Sequence, residues 1–482
     1  MQLTKPDLLN ICCACSSTQG VFNVRCYGAK GDGLTNDLDA ILAARDALNA
    51  EGGGVLFFPR GTFVVSDTIE LGASTTVLGL GAASVLRAKP DVACFNMLLM
   101  RDTDNVRVRD LVLDGNRDMT SPPADPATEN IGCGFLGRPV DKGQTGLSIQ
   151  NVVIRDHHRA GIRIRGPRNS DDPYRLCPNE VEVIGCQIRG CGSRGVVVTR
   201  ATRARIAGNV ITSCTQAGIQ LVLSRAAVID GNVIQMTIQR KGTNSGHGIG
   251  AANSLDYVIV NNVASENERW GIAASSGLGL WPKQYRMSQR YVVANNVCRA
   301  NAAGGITIDP TLPKDHPDHD QIQDSFATVA SNVCVANHGP GIHTTHAGYL
   351  AVSGNICYGN DNAGIGIVSS RDAVVGENVL TGNSNGVGFF ADTGVQDVGH
   401  HLLGGNVYDR NTPGEIQFGP DHPAIRQLQD RWPREGDGGM NLPVKPTGGD
   451  PVAPVDGLLY LNAADKELRV YADGAWHTVT SW

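Results

Sequence analysis

Along most of the chain, short runs of alternating apolar and polar residues are separated by Gly, Asn and small polar turns. The runs "GIRIRG" from Gly161, "GVVVTR" from Gly195 and "GITIDP" from Gly305 have the period of two that buries one face of a β-strand. From Val181 onward they recur at a fixed distance. An Asn near an apolar pair stands at Asn209, Asn232, Asn262, Asn296, Asn332, Asn355, Asn378 and Asn406, with Cys186 in the equivalent earlier place. Some ten residues after most of them comes Gly-Ile or Gly-Val, with about seven more between Asn232 and Gly248, and where nothing is inserted the period is 23 residues. Fixed periods in this range mean stacked repeats that share one core. A leucine-rich repeat would need a Leu framework, whereas this one uses Ile, Val, Gly and Asn. The pattern predicts an all-β parallel β-helix, each coil lying about 4.8 Å from the next. Asn is expected to serve the left-handed backbone of the tight turns and to bond along the stack.

Ahead of the repeat, Thr35 or Asn36 is placed to cap a helix running to about Asn49, and Gly52–Gly54 to end it. Its apolar face of Leu38, Ile41, Leu42, Ala44 and Leu48 is suited to cover the open end of the solenoid. The words "YGAKGDG", "GGGVLFFPRGTF" and "VLGLG" in this stretch resemble the entry module of pectate-lyase-like right-handed β-helix proteins. That group includes phage tailspikes, alginate epimerases and relatives of polygalacturonases. One departure is Thr35-Asn36-Asp37-Leu38, where Thr-Asp-Asp-Thr is usual. The resemblance implies a fold, and these residues are structural. The expected organisation is an N-terminal segment (1–20), an entry module (21–90), coils (91–419), a Pro/Gly linker (420–456) and a β-meander (457–482). The last segment resembles the small meanders that end many phage tail proteins. Three strands alone are marginally stable, so packing against partner chains is expected there, and the resemblance implies a homotrimer.

Composition agrees with a turn-rich β protein: 59 Gly, 5% aromatic and 18% charged residues. A net charge of −6 argues against a general nucleic-acid binder. The charge is uneven, with 17 Arg and one Lys against 13 acids from Arg101 to Arg225. Such a tract can hold an anionic partner such as an acidic glycan; a solvated face is the plainer reading. No apolar run of about 18 residues exists, so no membrane-spanning helix is expected. The N-terminus, with Pro6, Asp7 and Asn10, does not read as a secretory signal. Synthesis in the bacterial cytoplasm with reduced thiols is expected, and then a place in a virion tail or outside the cell after lysis. The 13 Cys are odd in number, and "CCAC" at Cys12–Cys15 lacks a second ligand pair for zinc. Cys298, Cys334 and Cys357 each follow the repeat Asn by two residues and read as an inward stack.

The interruptions of the period point to function. From the Ile of Gly-Ile to the next repeat Asn position is normally 13 residues, but 24 after Ile162, 24 after Ile272 and 26 after Ile306. All three loops leave the coil at the same point, and long loops on a rigid scaffold usually carry binding and catalysis. Alternation puts Arg163, Arg165, Asp309 and His343 outward beside them. Asp309, His343, Lys283 and Tyr285 are the expected catalytic groups, for general acid–base chemistry on a glycan. On a uronate, Lys or Arg would neutralise the carboxylate while Tyr or His removes the C5 proton. Trp281, Arg163, Arg165, His316 and His346 are the expected substrate contacts, Trp281 by stacking on a sugar ring. His316, Asp318, His319 and Asp320 have no recognised zinc spacing and read as loop polarity. No metal or cofactor is expected, save a divalent cation if the chain is a polyuronate lyase. "SGHGIG", containing His247, is similar to the Gly-His-Gly of polygalacturonases but lacks their paired Asp segments. Asp309-Pro310 is similar to the Asp-Pro-His of alginate epimerases, with Thr311 where His is usual. The leading expectation is a phage or prophage tailspike-like protein that binds and depolymerises a bacterial surface polysaccharide. The alternatives are a polyuronate lyase or C5-epimerase, and a non-catalytic glycan-binding or structural tail component. Partners are expected to be the polysaccharide, copies of the chain and other tail proteins, without nucleic acid or membrane insertion.

Overall fold

In this computed structural model the structure describes residues 20–125, 130–167, 176–243, 245–275, 288–311, 321–392, 395 and 398–419. It also describes the strand segments 425–427, 444–445, 459–462, 467–472 and 475–481. The chain divides into two units, Met1–Ser245 and Gly246–Trp482. Each is a right-handed parallel β-helix in which every full coil gives one strand to each of three parallel sheets.

In the first unit, one coil runs through Asn179–Ile184 in the first sheet, Gln187–Arg189 in the second and Val196–Thr199 in the third. The next repeats this as Thr202–Ala207, Val210–Thr212 and Ala217–Val222. Registers are level, as in Val183↔Ile206, Ile188↔Ile211 and Val196↔Ile219, so like residues stack inward into a continuous aliphatic core. The helix Leu38–Ala50 buries Leu38, Ile41, Ala44 and Leu48. It packs on the strands Val21–Asn23, Gly54–Phe57 and Ile69–Leu71. Leu42, expected on the same face, is only half-buried. Thr35 and Asn36 belong to the strand Asp32–Asn36, and the cap position is Asp37. The Asp37 carboxylate makes no bond into the helix; it accepts from the Lys30 and Gly31 amides and fixes the preceding loop. Past the helix, Gly53 has φ 132°, and a Cβ there would stand 2.7 Å from the Ser74 Cβ and 2.8 Å from its carbonyl oxygen.

The second unit repeats the three-sheet coil from His247–Ala252 to Gly414–Phe418. Its repeat asparagines lie at the turn between the first and second sheets and are fully buried. Each Asn Oδ1 accepts from the backbone N–H and the side-chain amide of the Asn one coil earlier, from Asn262 through Asn296, Asn332, Asn355 and Asn378 to Asn406. These asparagines are not the left-handed residues of the turn. That role falls to the residue before each: Asn261, Asn295, Ser331, Gly354, Glu377 and Gly405, with φ between 55° and 73°. A second ladder, five residues on, runs through Asn267, Asn301, Asn337, Asn360, Asn383 and Asn411. Between the ladders Cys298, Cys334 and Cys357 pair in register and are fully buried free thiols.

On the first sheet, one outward residue per coil takes positive φ, and several of these pair two by two along the stack. Glu180 meets Arg203 at 3.2 Å in the first unit. In the second unit Asp256 meets Arg290 at 2.6 Å and His400 lies 3.9 Å from Asp372. Phe326 and Tyr349 stack with centroids 4.9 Å apart. Val444–Lys445, Leu459–Asn462, Glu467–Ala472 and Ala475–Ser481 form a separate four-stranded sheet, antiparallel after its first pair. Within the expected linker Ile425–Gln427 pairs with His401–Gly404 as a strand of the first sheet, and, Val444–Lys445 apart, the remainder lies outside the described residues.

Two stability predictions arise from buried polar groups. Asn355→Leu removes the acceptor of the Asn332 backbone N–H and side-chain amide, and the donor to the Val329 carbonyl and the Asn378 Oδ1. It should cost about 2–4 kcal/mol in denaturant unfolding. In the first unit His157 is fully buried, and burial lowers its pKa to about 4 against the opposing Leu113 carbonyl and Asp114 charge. The unfolded chain takes up this proton near pH 6.5 and the folded chain does not. Stability from this group is therefore complete above pH 6.5 and is lost as pH falls toward 4, by up to about 3 kcal/mol. The urea midpoint should fall across that window, and His157→Gln should flatten the fall.

Candidate functional site

The strands ending at Ser275 and Asp309 in the second unit lead into the two adjacent long insertions, and the strand ending at Arg165 in the first unit leads into the third. Lys283, Tyr285, Trp281 and His316, with Asp318, His319 and Asp320, lie outside the described residues. The structure therefore speaks to Asp309, His343, His346, Arg163 and Arg165.

Asp309 and His343 come together on adjacent coils of the third sheet. Thr307 pairs with His343, so Asp309 stands one outward step along the neighbouring strand. Asp309 is half-buried, and its Oδ1 accepts from the Thr311 amide at 3.1 Å, closing the turn at the strand end. Among the described residues its other carboxylate oxygen accepts no hydrogen bond. His343 is also half-buried, and its Nδ1 is a buried atom with no hydrogen-bond partner. Burial lowers the His343 pKa, while the charges of Asp309 and Asp392 pull the other way. The imidazole is therefore neutral at physiological pH, with an unengaged nitrogen in the field of the Asp309 and Asp392 charges. Asp392 is held by a reciprocal pair of bonds with Ser369, at 2.9 and 2.7 Å.

Trp270 completes the cluster. Its ring stacks on His343 with centroids 5.8 Å apart and planes 27° apart. Gly304, with φ 149°, gives it room: a Cβ there would collide with the indole and come within 2.8 Å of the Pro340 carbonyl oxygen. The outward row on which His343 stands is otherwise small, reading Gly250, Ala273, Thr307, His343, Gly366 and Gly388. An aromatic face, a free imidazole nitrogen and two carboxylates on this plain row suit a sugar ring that stacks on Trp270 and exchanges a proton with His343. Trp270 was missed in the sequence, although it directly precedes the repeat Gly271-Ile272.

The remaining candidates do other things. His346 is buried with φ 52°, and its Nδ1 lies 2.9 Å from the Thr345 hydroxyl and 3.4 Å from that of Thr311. Its carbonyl accepts from the Gln323 amide, so it ties the base of the long insertion. Arg163 and Arg165, expected on an open face, are only 7% and 8% exposed. Both donate to the Asn130 Oδ1 at 3.1 Å, which fixes the segment entering from residue 130. The outward strip is covered at other rungs too, since Val197, Gln220, Ala252, Ala273 and Thr307 are buried. Strand alternation tells which side of a sheet a residue takes, and other parts of the chain decide whether that side meets water. Among the described residues no cluster of three or more His, Cys, Asp or Glu could hold a metal.

Comparison with known families accords with this geometry. The model of the right-handed beta helix region matches residues 140–278 and 178–312, and that of "Rhamnogalacturonase A/epimerase, pectate lyase-like" matches 21–117. This chain is a right-handed β-helix protein whose entry module matches the pectate-lyase-like family. The β-helix is 38% identical over 119 residues to mannuronan C5-epimerase AlgE3 of Azotobacter vinelandii, covering 22% of this chain and 6% of that protein. It is 29% identical over 194 residues to the pre-neck appendage protein of Bacillus phage phi29, covering 36% of this chain and 21% of the relative. Matched segments thus span a minor part of these relatives. Among solved structures, bacteriophage phi29 gene product 12 superposes with TM-score 0.59 at 16% identity, over 88% of this chain and 58% of that one. The A-module of Azotobacter vinelandii mannuronan C5-epimerase AlgE6 gives 0.56 at 18% identity, over 86% and 100%.

Gly304→Ala should displace the indole from His343 in this β-helix. The Trp270 contribution to fluorescence, taken as the difference from Trp270→Phe, should shift while the far-ultraviolet circular dichroism stays unchanged.

Proposed function

We propose that this β-helix protein binds an acidic bacterial surface polysaccharide on the third sheet of its second unit, and that His343 is the base that removes the C5 proton of a uronate there. The observation that carries this reading is the His343 Nδ1, unpartnered, buried and beside Asp309. A buried imidazole with a lowered pKa is ready to accept a proton at neutral pH. In elimination the C5 proton goes to His343, a C4–C5 double bond forms, and the C4–O bond breaks with its electron pair on the leaving oxygen, which is then protonated. In epimerisation the same carbanion regains a proton on its other face. Asp309 and Asp392 stabilise the imidazolium formed in either case. Trp270 orients the sugar. Lys283, Tyr285, Trp281 and His316 on the insertions complete the proposal, a cation neutralising the uronate carboxylate. A divalent cation could serve the same purpose in a lyase.

The epimerase relatives support C5 chemistry, and the phage appendage relative supports a tail-borne setting; a trimer meeting the glycan at a cell surface is part of the same proposal. Other tail proteins are partners in that setting. A hydrolytic reading draws on the two carboxylates, Asp309 and Asp392, whose charges act on His343.

The test is turnover of acidic polysaccharides with three readouts. Absorbance of 4,5-unsaturated uronates reports elimination, exchange of the C5 proton in heavy water reports epimerisation, and reducing ends without unsaturation report hydrolysis. His343→Gln should lower kcat by about a hundredfold or more with KM little changed, and Asp309→Asn by about tenfold. Activity should persist somewhat below pH 6.5, the ordinary histidine value, because His343 stays neutral there. Full activity of the His343 variant would sink the mechanism, and binding without any of the three signals would leave a glycan-binding tail component.

A further inference from the structure

Arginines on the outside of the first unit fall into two groups. Arg203 bridges Glu180 at 3.2 Å, Arg109 bonds Asp110 at 2.9 Å, and Arg87 and Arg155 share Asp114 at 3.1 and 2.8 Å. Arg107 and Arg205 are exposed, and neither side chain takes part in an ion pair or hydrogen bond among the described residues. Register sets these two in a single outward row of the first sheet: Arg107, Ser148, Glu182, Arg205. Three strand steps separate the ends, about 14 Å.

The row lies along a groove of about 560 Å³. Its floor is a fixed hydrogen-bond chain. Gln150 Nε2 donates to Ser148 Oγ at 2.9 Å, and Ser148 donates to Glu182 Oε2 at 3.1 Å. That leaves Glu182 Oε1 and the Gln150 side-chain carbonyl as acceptors facing the groove. Two unpaired cations at the ends, with acceptors between them, match a linear molecule that carries spaced carboxylates and intervening hydroxyls. A nucleic acid fits poorly. Glu180 and Glu182 line the groove, and no aromatic side chain lines it to stack a base.

We infer that this face of the first unit is a second, non-catalytic binding site for an acidic oligosaccharide, held at its ends by Arg107 and Arg205. The inference rests on the glycan reading proposed above but concerns a different sheet. A site of this kind would hold one stretch of a long chain while another is processed, raising the local concentration of substrate.

The full chain, its His343→Gln form and Arg107→Gln/Arg205→Gln are titrated with an oligomannuronate by calorimetry at two salt concentrations. The double Arg variant should bind about a hundredfold more weakly, about tenfold for each guanidinium, and lose most of the salt dependence. Its kcat at saturating substrate should be unchanged. Arg203→Gln, which removes a paired cation, should change affinity less than twofold, and His343→Gln should retain this binding. Unchanged affinity in the double variant would overturn the inference. So would equal binding of a neutral glucan oligomer, or tighter binding of single-stranded DNA of matched charge. Arg-dependent binding without turnover by any readout would remove the catalytic reading and leave this one standing; His343-dependent turnover with Arg-independent binding would do the reverse.

Discussion

Everything in this molecule rests on how a tight turn can be buried on every coil without stranding its backbone. A solenoid reverses direction three times per coil, and the turn between its first and second sheets is so short that water is shut out. An unmet amide there would cost about 1–3 kcal/mol, and the cost would recur on each coil. The asparagine ladders remove it: each Oδ1 takes two donors from the coil before, and the amide groups reach carbonyls one coil back, as Asn355 does to Val329 and Asn378 to Val352. Because each side chain serves a neighbour's backbone, coils are locked to one another as well as turned. The level registers of the sheets, and so the placement of every outward side chain, follow from that locking.

The candidate site is a product of this rigidity. His343 and Asp309 are far apart in sequence yet become neighbours because successive coils keep the same phase. The left-over nitrogen of His343 is held by packing: Trp270 lies against its ring, and the Gly366 beside it has no side chain to offer a bond. Other buried side-chain atoms also lack a hydrogen bond, and this nitrogen is set apart by the carboxylate of Asp309 on the neighbouring coil. The same site asks little of the fold, since small residues flank His343 on both sides along the row.

Most of the fold was legible in the sequence because a 23-residue period and a period of two are both written directly into residue order. The Asn series told where coils turn, although it misdirected the reading of which residue is left-handed. The residue before each Asn varies among Gly, Asn, Ser and Glu, and so carries no compositional mark. The second ladder escaped notice because cysteines occupy its positions in the first unit, at Cys191 and Cys214. Of the site, Asp309 and His343 could be paired from alternation alone. Trp270 could not, since its contact with His343 depends on the bare backbone of Gly304 lying between them. Arg163 and Arg165 misled for the opposite reason: their partner, Asn130, comes from a segment with no repeat to place it.

The paired positive-φ residues on the first sheet acquire meaning from the sameness of the coils. A chain of near-identical strands faces a hazard particular to repeats, in which one coil is skipped and the next stacks in its place with the core scarcely disturbed. Ile on Ile, or Asn on Asn, would not object. The outward partners would. Skipping the Arg290 coil would set Asp256 against Phe326 without its cation, and skipping the Phe326 coil would set Arg290 against Tyr349 and strip that ring of its stacking partner. These couples work as a proofreading code on the outside of a core that cannot tell its own coils apart.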